Sequence, residues 1–191
     1  MKTILIVVVI LIIVVGVFFS HKQHRSRTRT DSDPVKSAEV SQELRHLILA
    51  TDYTKVGIQQ FVGTNQVWGV VMEMGYPKAT VTLVALADGS ASLYFSSGGG
   101  FIGGVGHETV RKAAFRMCQV ADPFVPACSP AAGFPFPGQG FTSFYILTKN
   151  GKVTKTALEN ELGENKHSLS PLFYAGQDVI TQLRLVTKNF K

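Results

Sequence analysis

Hydrophobic and polar positions divide the chain into an unbroken apolar run, a basic and polar stretch, and a longer part with helix and strand periodicities. Every residue from Ile4 to Phe19 is apolar or glycine, a run of 16 residues. As a helix this run would be about 24 Å long, short of a bilayer core of about 30 Å but sufficient if Lys2 reaches the headgroups. Because a backbone in lipid has to satisfy its own hydrogen bonds, we expect residues 1–20 to form one transmembrane anchor.

A cleaved secretory signal is the competing interpretation of this run. The apolar region of such a signal usually spans about 7 to 15 residues and ends before a small-x-small site. Phe18 and Ser20 would occupy the recognition positions, and phenylalanine is too bulky for the first of them. Val14 and Gly16 fit better, but cleavage there would fall inside the apolar run. The pattern therefore favours an uncleaved signal anchor.

The stretch at 21–34 is basic and polar, and we interpret it as a flexible tether before a single domain at 35–191. The chain has a formal net charge of +6. Its first 30 residues supply five of these charges, through Lys2, Lys22, Arg25, Arg27 and Arg29. The remaining 161 residues carry 14 basic and 13 acidic side chains. This near-equal number of basic and acidic side chains is not typical of a domain that neutralises a phosphate backbone. Nucleic acid is therefore not an expected partner.

The basic stretch also predicts an orientation in the membrane. Only Lys2 precedes the apolar run, whereas four Lys and Arg side chains follow it, and positively charged flanks stay on the cytoplasmic side. The domain is therefore expected in the cytoplasm, attached to a membrane that the chain crosses once. In the reverse orientation the domain is periplasmic or extracellular, and Cys118 and Cys128 could form a disulfide there.

Strand periodicity is clearest over residues 66–95. Two apolar-rich segments, 66–74 and 79–87, are separated by turn residues. Asp88-Gly89 then fits a two-residue hairpin turn in which both residues have positive φ, and the alternation continues over 91–95. The pattern predicts a three-stranded antiparallel meander.

Helical spacing of apolar residues predicts helices at 36–50 and 107–121, and a third that opens at Ser170-Pro171. Five prolines within 122–140 predict a long loop without regular structure. Asn150-Gly151 predicts a second hairpin.

These elements predict an α+β fold. Its sheet would have five antiparallel strands, a three-stranded meander plus the hairpin, with packed helices on it. One N-terminal transmembrane helix would precede the domain.

A glycine-rich connection between the meander and the second helix is the first candidate ligand site. It contains the G-x-G-x-x-G spacing of loops whose amides bind phosphate at a helix N-terminus. The antiparallel strand before it does not fit a dinucleotide fold, and Gly104 stands where a Walker loop has lysine. The glycines either allow a tight change of chain direction or contact an anion, nucleotide or peptide. The candidate ligand-binding residues are Ser96, Ser97, Gly98, Gly99, Gly100, Gly103 and His107.

Other catalytic and metal-binding patterns are incomplete. His107-Glu108 begins like a zinc helix, but Arg111 stands where the second histidine is needed. Phe95 replaces the first glycine of a G-x-S-x-G nucleophile elbow. Acidic residues such as Glu73 are scattered, and their spacing indicates no pair. We therefore expect no catalytic residues, no metal ligands and no cofactor.

Two phenylalanines in the proline-rich loop form a second candidate site. Phe134 and Phe136 alternate with prolines, and exposed aromatic surface marks contact sites. If both side chains face outwards, a membrane-associated protein or the bilayer is the expected partner. The competing interpretation is that they fold back on the sheet edge.

The pattern predicts a class of function without a specific activity. The first hypothesis is a membrane-tethered, non-catalytic binding or interaction module, since anchoring raises the effective concentration of a domain for other membrane components. The alternative is an enzyme, or a domain that senses a small ligand or anion, with its site at 96–107.

Overall fold

The computed structural model describes residues 34–188. The predicted anchor at 1–20 and the tether residues 21–33 lie outside the described residues. Within 34–188, no helix combines the length and the hydropathy that crossing a membrane requires.

The strands form one seven-stranded sheet in the order β4-β3-β2-β1-β6-β7-β5, and every neighbouring pair is antiparallel. The prediction of a five-stranded sheet is therefore wrong. The strands are β1 (Val67–Gly75), β2 (Thr80–Leu86), β3 (Ala91–Phe95), β4 (Gly100–Ile102), β5 (Ser129–Pro130), β6 (Phe141–Thr148) and β7 (Gly151–Leu158).

The two strands that the sequence did not predict are the outermost ones. β4 lies inside the glycine-rich connection, and β5 lies inside the proline-rich loop. Both are too short for an alternating pattern to be visible. Proline is tolerated in β5 because an edge strand needs hydrogen bonds on one side only. The loop also contains a 3-10 helix at Asp122–Ala127, so the prediction that it lacks regular structure is wrong.

Both predicted hairpins are present, but their turns differ from the prediction. The amide of Leu86 donates to the carbonyl of Ser90 at 2.9 Å, which leaves a three-residue loop with positive φ at Gly89 alone. In the second hairpin, Thr148 pairs with Gly151, so Lys149 and Asn150 occupy the turn. The type of turn in which two successive residues have positive φ is formed at neither place, because Asp88 and Asn150 have negative φ.

Helices cover both faces of the sheet. They are α1 (Pro34–Ala50), α2 (Tyr53–Val56), α3 (Gln59–Val62), α4 (Glu108–Ala121), α5 (Glu159–Gly163) and α6 (Ser170–Lys188). On one face, α4 and α6 pack on buried strand residues such as Met72, Leu83 and Phe144. On the other face, α1 to α3 and the proline-rich loop cover a second core that includes Trp68 and Tyr145.

One end of the sheet lies beside the start of α1, the first of the described helices. Because neighbouring strands are antiparallel, this end gathers the last residues of β1, β3 and β7 and the first residues of β2 and β6: Gly75, Phe95, Leu158, Thr80 and Phe141. The first turns of α1 lie beside it, since the Ser37 hydroxyl accepts a hydrogen bond from the amide of Gly99 at 2.7 Å. We call these residues and their connecting turns the tether end.

Candidate functional site

The glycine-rich connection is divided among several small elements. Residues 96–99 form the turn between β3 and β4, and Gly100 begins β4. Gly103 has a φ of 95° and precedes a 3-10 helix, after which His107 precedes α4. The predicted ligand residues therefore lie on both sides of an edge strand and do not form one loop.

Polar groups of Ser96, Gly98 and Gly99 in this turn bond to other parts of the protein. The amide of Gly98 donates to a carbonyl at the end of β3 at 2.9 Å, and that of Gly99 donates to the Ser37 hydroxyl at 2.7 Å. The hydroxyl of Ser96 accepts from the amide of Thr80 at 2.8 Å. These bonds join the turn to α1 and β2, so the same groups are not available to hold an anion.

The two phenylalanines of the proline-rich loop have different surroundings. Phe134 is half-buried, and its ring contacts Tyr145 edge-on at a centroid distance of 5.4 Å. Phe136 is 42% exposed, and the guanidinium carbon of Arg45 lies 4.1 Å from its ring centroid. Phe134 thus packs on the sheet, whereas part of Phe136 faces solvent.

A row of polar side chains crosses the sheet face below this loop. Five residues in direct register, one on each of five neighbouring strands, make up the row: Tyr94, Thr82, Glu73, Ser143 and Thr156. Glu73 lies on the central strand and its side chain is fully buried. A buried carboxylate requires partners, since burial of an unpaired charge is very unfavourable.

Arg45 on α1 supplies the main partner of Glu73. Its Nε and Nη2 atoms donate to the two carboxylate oxygens at 2.6 and 2.8 Å, a two-point geometry that guanidinium and carboxylate groups favour. Thr82 adds a hydroxyl donor at 2.9 Å. Both carboxylate oxygens are therefore satisfied within the protein, which makes this pair a structural connection between α1 and β1.

The same group of residues fixes the proline-rich loop. Nη2 of Arg45 donates to the carbonyl of Phe134 at 2.7 Å, and the hydroxyl of Tyr145 donates to the carbonyl of Pro135 at 2.7 Å. Burial and the nearby Glu73 raise the pKa of Tyr145, and Arg45 opposes this shift. The tyrosine is thus held as a neutral donor, and two successive loop carbonyls receive protein donors.

An open groove of about 750 Å³ lies at the tether end. It is bordered by the end of β1, the end of β7, α5 and one side of α6. Its lining residues are Gly75, Tyr76, Pro77, Gln139, Gly140, Leu158, Glu159, Asn160, Gly163, Phe173 and Gln177. No lysine or arginine is among them, so Glu159 is the one charged residue in the lining.

Tyr76 and Glu159 form the polar centre of the groove. The hydroxyl of Tyr76 donates to Oε1 of Glu159 at 3.2 Å. Burial, the negative charge of Glu159 and this hydrogen bond all raise the pKa of Tyr76. The second oxygen of Glu159, Oε2, is shielded from solvent and has no hydrogen-bond partner among the described residues. The carboxylate therefore has an unused acceptor.

Close packing of two backbone segments forms one wall of the groove. A Cβ atom built on Gly75 would lie 2.1 Å from the carbonyl oxygen of Gly138, so only glycine fits at position 75. The amide of Gly140 donates to the carbonyl of Gly75 at 2.9 Å, and the amide of Glu159 donates to the carbonyl of Gly140 at 2.9 Å. This chain of backbone bonds places Glu159 beside the end of β1.

The two cysteines lie outside the groove, and both are free thiols. Cys118 is buried on the inner side of α4, and burial raises its pKa far above the usual range. Burial also raises the pKa of Cys128, which is partly exposed, and Lys155 opposes this shift. Within residues 34–188, no group of three or more His, Cys, Asp or Glu side chains is placed to hold a metal ion.

Comparison of the chain with protein-family models, with curated proteins and with solved structures found no match. A functional conclusion therefore depends on the geometry of the groove and of the surfaces around it.

Sequence reasoning did not find the groove. The sequence pattern places Tyr76 in a turn, and Glu159 lies 83 positions later in the chain. No local pattern relates two such distant residues. For the ion pair a signal was present, because Glu73 interrupts an otherwise apolar strand and a buried acid needs a donor. Its partner Arg45 could not be identified from spacing.

Proposed function

We propose that this chain is a non-catalytic binding module that the apolar segment Ile4–Phe19 tethers to a membrane, with the tether-end groove as its ligand site. The observation that carries the proposal is that Glu159 is the one charged residue lining an open groove, with no basic side chain in that lining to balance it. Such an arrangement favours a ligand that brings its own hydrogen-bond donor or positive charge.

The lining of the groove offers both apolar and polar contacts to a ligand. Tyr76, Leu158 and Phe173 provide apolar contact area, while Gln139 and Gln177 provide amide groups beside it. Sites of this kind combine apolar walls with a few polar groups that fix orientation. A basic or amine-bearing segment of a membrane-associated protein has the matching chemistry.

The position of the reactive side chains supports a role in binding over catalysis. His107 lies before α4 and Cys118 lies on its inner side, and neither lines the groove. A thiol with a strongly raised pKa is a poor nucleophile because the thiolate is the reactive form. The alternative site at 96–107 is less favoured, since the amides of Ser96, Gly98 and Gly99 and the Ser96 hydroxyl bond to β2, β3 and α1.

The cytoplasmic placement of the domain belongs to the same proposal. It is supported by the basic residues that follow the apolar segment, such as Arg25 and Arg27. The two free thiols fit a reducing compartment, where disulfides are rare.

The membrane part of the proposal is tested by extracting native membranes with alkaline carbonate. We expect the full chain, beginning at Met1, to stay in the membrane pellet. Release into the supernatant, or mature protein that begins after Phe19, would contradict the tethering.

The ligand site is tested by photo-crosslinking in the same membranes. The photoreactive amino acid p-benzoylphenylalanine replaces Gln139 in the groove or, as a matched control, Gln60 on α3, which is also exposed. We expect an adduct at position 139 that is absent at position 60 and that disappears when Glu159→Gln is added. An adduct that is insensitive to Glu159→Gln, or no adduct at 139, would contradict the groove as the ligand site.

A further inference from the structure

Four aromatic side chains are exposed at the tether end. Tyr76, Phe95, Phe136 and Phe141 are 45%, 36%, 42% and 39% exposed, and Leu158 is 38% exposed. These residues come from five separate segments of the chain. Aromatic residues are usually buried, and contiguous exposed apolar surface marks a contact site.

Strand direction explains why these residues lie together. Phe95 and Leu158 end strands that run towards the tether end, whereas Phe141 begins a strand there, and Tyr76 follows the end of β1. Phe136 borders the same small gap as Phe95, and the next loop residues, 137–138, touch Gly75.

The tether determines which end of the domain stays close to the membrane. It attaches at the start of α1, which lies at the tether end. A flexible chain of 13 residues, the length of 21–33, would span roughly 20 Å on average. A domain of this size has a radius of gyration of about 15 Å, so its opposite end lies beyond that average span.

The chemistry of the tether end suits a phospholipid surface. Tyrosine rings are favoured at the boundary between headgroups and hydrocarbon, and exposed phenylalanine side chains insert into that boundary from proteins that lie on a membrane. Lys36 in the first turn of α1 and Lys78 in the β1–β2 turn are exposed at the same end. Basic side chains near a membrane are attracted by anionic lipids.

We propose that the tether end docks directly on the phospholipid bilayer, with Tyr76, Phe95, Phe136 and Phe141 at the level of the headgroups. This inference rests on the proposed tethering, because the tether is what brings this end to the membrane. Docking would hold the domain in one orientation and place the groove next to the headgroups, where its ligand would also be membrane-bound.

The chain offers a matched control for a test of docking. Phe61 on α3 is 47% exposed, slightly more than Phe136 and Phe141. It lies at the opposite end of the sheet, since α3 directly precedes β1 and the amine of Lys149 in the β6–β7 turn donates to the carbonyl of Gly63 at 2.9 Å. Residue type and exposure are thus matched, and only the position differs.

The experiment uses the full chain in vesicles of phosphatidylcholine and phosphatidylglycerol without other proteins. The photoreactive amino acid p-benzoylphenylalanine replaces Phe136, Phe141 or Phe61 in separate samples, and lipid adducts are measured by mass spectrometry after irradiation. The aromatic replacement preserves the side-chain character at each position. We expect lipid adducts at positions 136 and 141, and at position 61 a yield of lipid adducts no higher than background.

Three outcomes would overturn docking. They are adducts of equal yield at all three positions, background yield at 136 and 141, or protein adducts in place of lipid adducts when native membranes are used. Carbonate extraction of each sample separates the two proposals. Chains that stay in the pellet without lipid adducts at the tether end contradict docking alone, whereas chains that wash off contradict the tethering itself.

Discussion

Arg45 and Glu73 form a two-point ion pair that joins the first helix to the central strand of the sheet. Nε and Nη2 of the arginine lie 2.6 and 2.8 Å from the two carboxylate oxygens, and the same Nη2 donates to the carbonyl of Phe134. Three parts of the domain, namely α1, β1 and the proline-rich loop, therefore meet at one guanidinium group. The position of Phe136 at the tether end depends on this contact, since its ring packs on the same guanidinium.

Removing one member of this pair should destabilise the domain strongly. We expect Arg45→Met to lower the free energy of unfolding by about 3–5 kcal/mol, because it leaves the Glu73 carboxylate buried without its cation. Urea unfolding followed by circular dichroism measures the change. The exposed Arg116 on α4 provides the control, and Arg116→Met should change the stability by less than about 0.5 kcal/mol. Equal unfolding midpoints for the two variants would refute the structural role of the pair.

Replacing Gly75 with alanine should separate the backbone segments beside the groove. The added methyl group would lie 2.1 Å from the carbonyl oxygen of Gly138, and backbone atoms cannot give way as a flexible side chain does. We expect a loss of about 1–3 kcal/mol in thermal or urea unfolding. Gly133→Ala, in the proline-rich loop that contains Gly138, is the control, because a Cβ atom there meets nothing within 4 Å. A Gly75→Ala protein as stable as Gly133→Ala would contradict the close approach.

The titration of Tyr76 should report the charge of Glu159. Burial and the Glu159 carboxylate raise the pKa of Tyr76, since a second negative charge beside the carboxylate is unfavourable. We expect Glu159→Gln to lower the pKa of Tyr76, so that the phenolate forms at a lower pH. Carbon NMR of labelled tyrosine, with pH raised through the ordinary tyrosine value of about 10, measures the change. Glu164→Gln, an exposed acid after α5, should leave the titration unchanged; the same midpoint in both variants would argue against the Tyr76–Glu159 contact.

The two thiols should react at very different rates in the folded protein. Cys118 is buried and its pKa is strongly raised, whereas Cys128 is partly exposed and therefore accessible to a reagent. We expect iodoacetamide to label Cys128 first, and to label Cys118 only when urea unfolds the domain. Because both pKa values are raised, labelling of Cys128 should accelerate as the pH rises. Mass spectrometry of the peptides gives both rates, and equal labelling under native conditions would be inconsistent with the position of Cys118.

The local sequence pattern was sufficient to predict strands that are long enough to show an alternation of apolar and polar residues and that are followed by a turn. The meander of β1 to β3 and the β6–β7 hairpin meet that condition. The edge strands β4 and β5 do not, since their short segments pair only because a longer neighbour is already in place. The exact turns also depend on strand pairing. Gly89 lies inside the loop that the Leu86–Ser90 bond closes, whereas Gly151 pairs with Thr148 and lies outside its turn.

The candidate sites differ in the same way. The glycine-rich connection is visible as a motif, yet the amide of Gly99 donates to Ser37 on α1, 62 positions away, and the hydroxyl of Ser96 accepts from the amide of Thr80 on β2. The groove, in contrast, has no motif, because Tyr76 and Glu159 meet through the ends of two strands that are separated by β6. Phe134 and Phe136 were predicted as a pair, and packing on Tyr145 and Arg45 gives them different exposures.

Patterns among neighbouring residues were sufficient to identify the apolar segment and the basic stretch after it, the main hairpins, and the helices that begin at Pro34, Glu108 and Ser170. The number of strands, the covering of both sheet faces, the Arg45–Glu73 pair and the composition of the tether end emerged only from the folded domain. The physical reason is that hydrophobic periodicity and turn preferences act over a few residues, whereas edge pairing, charge burial and groove formation require contacts between segments far apart in the chain.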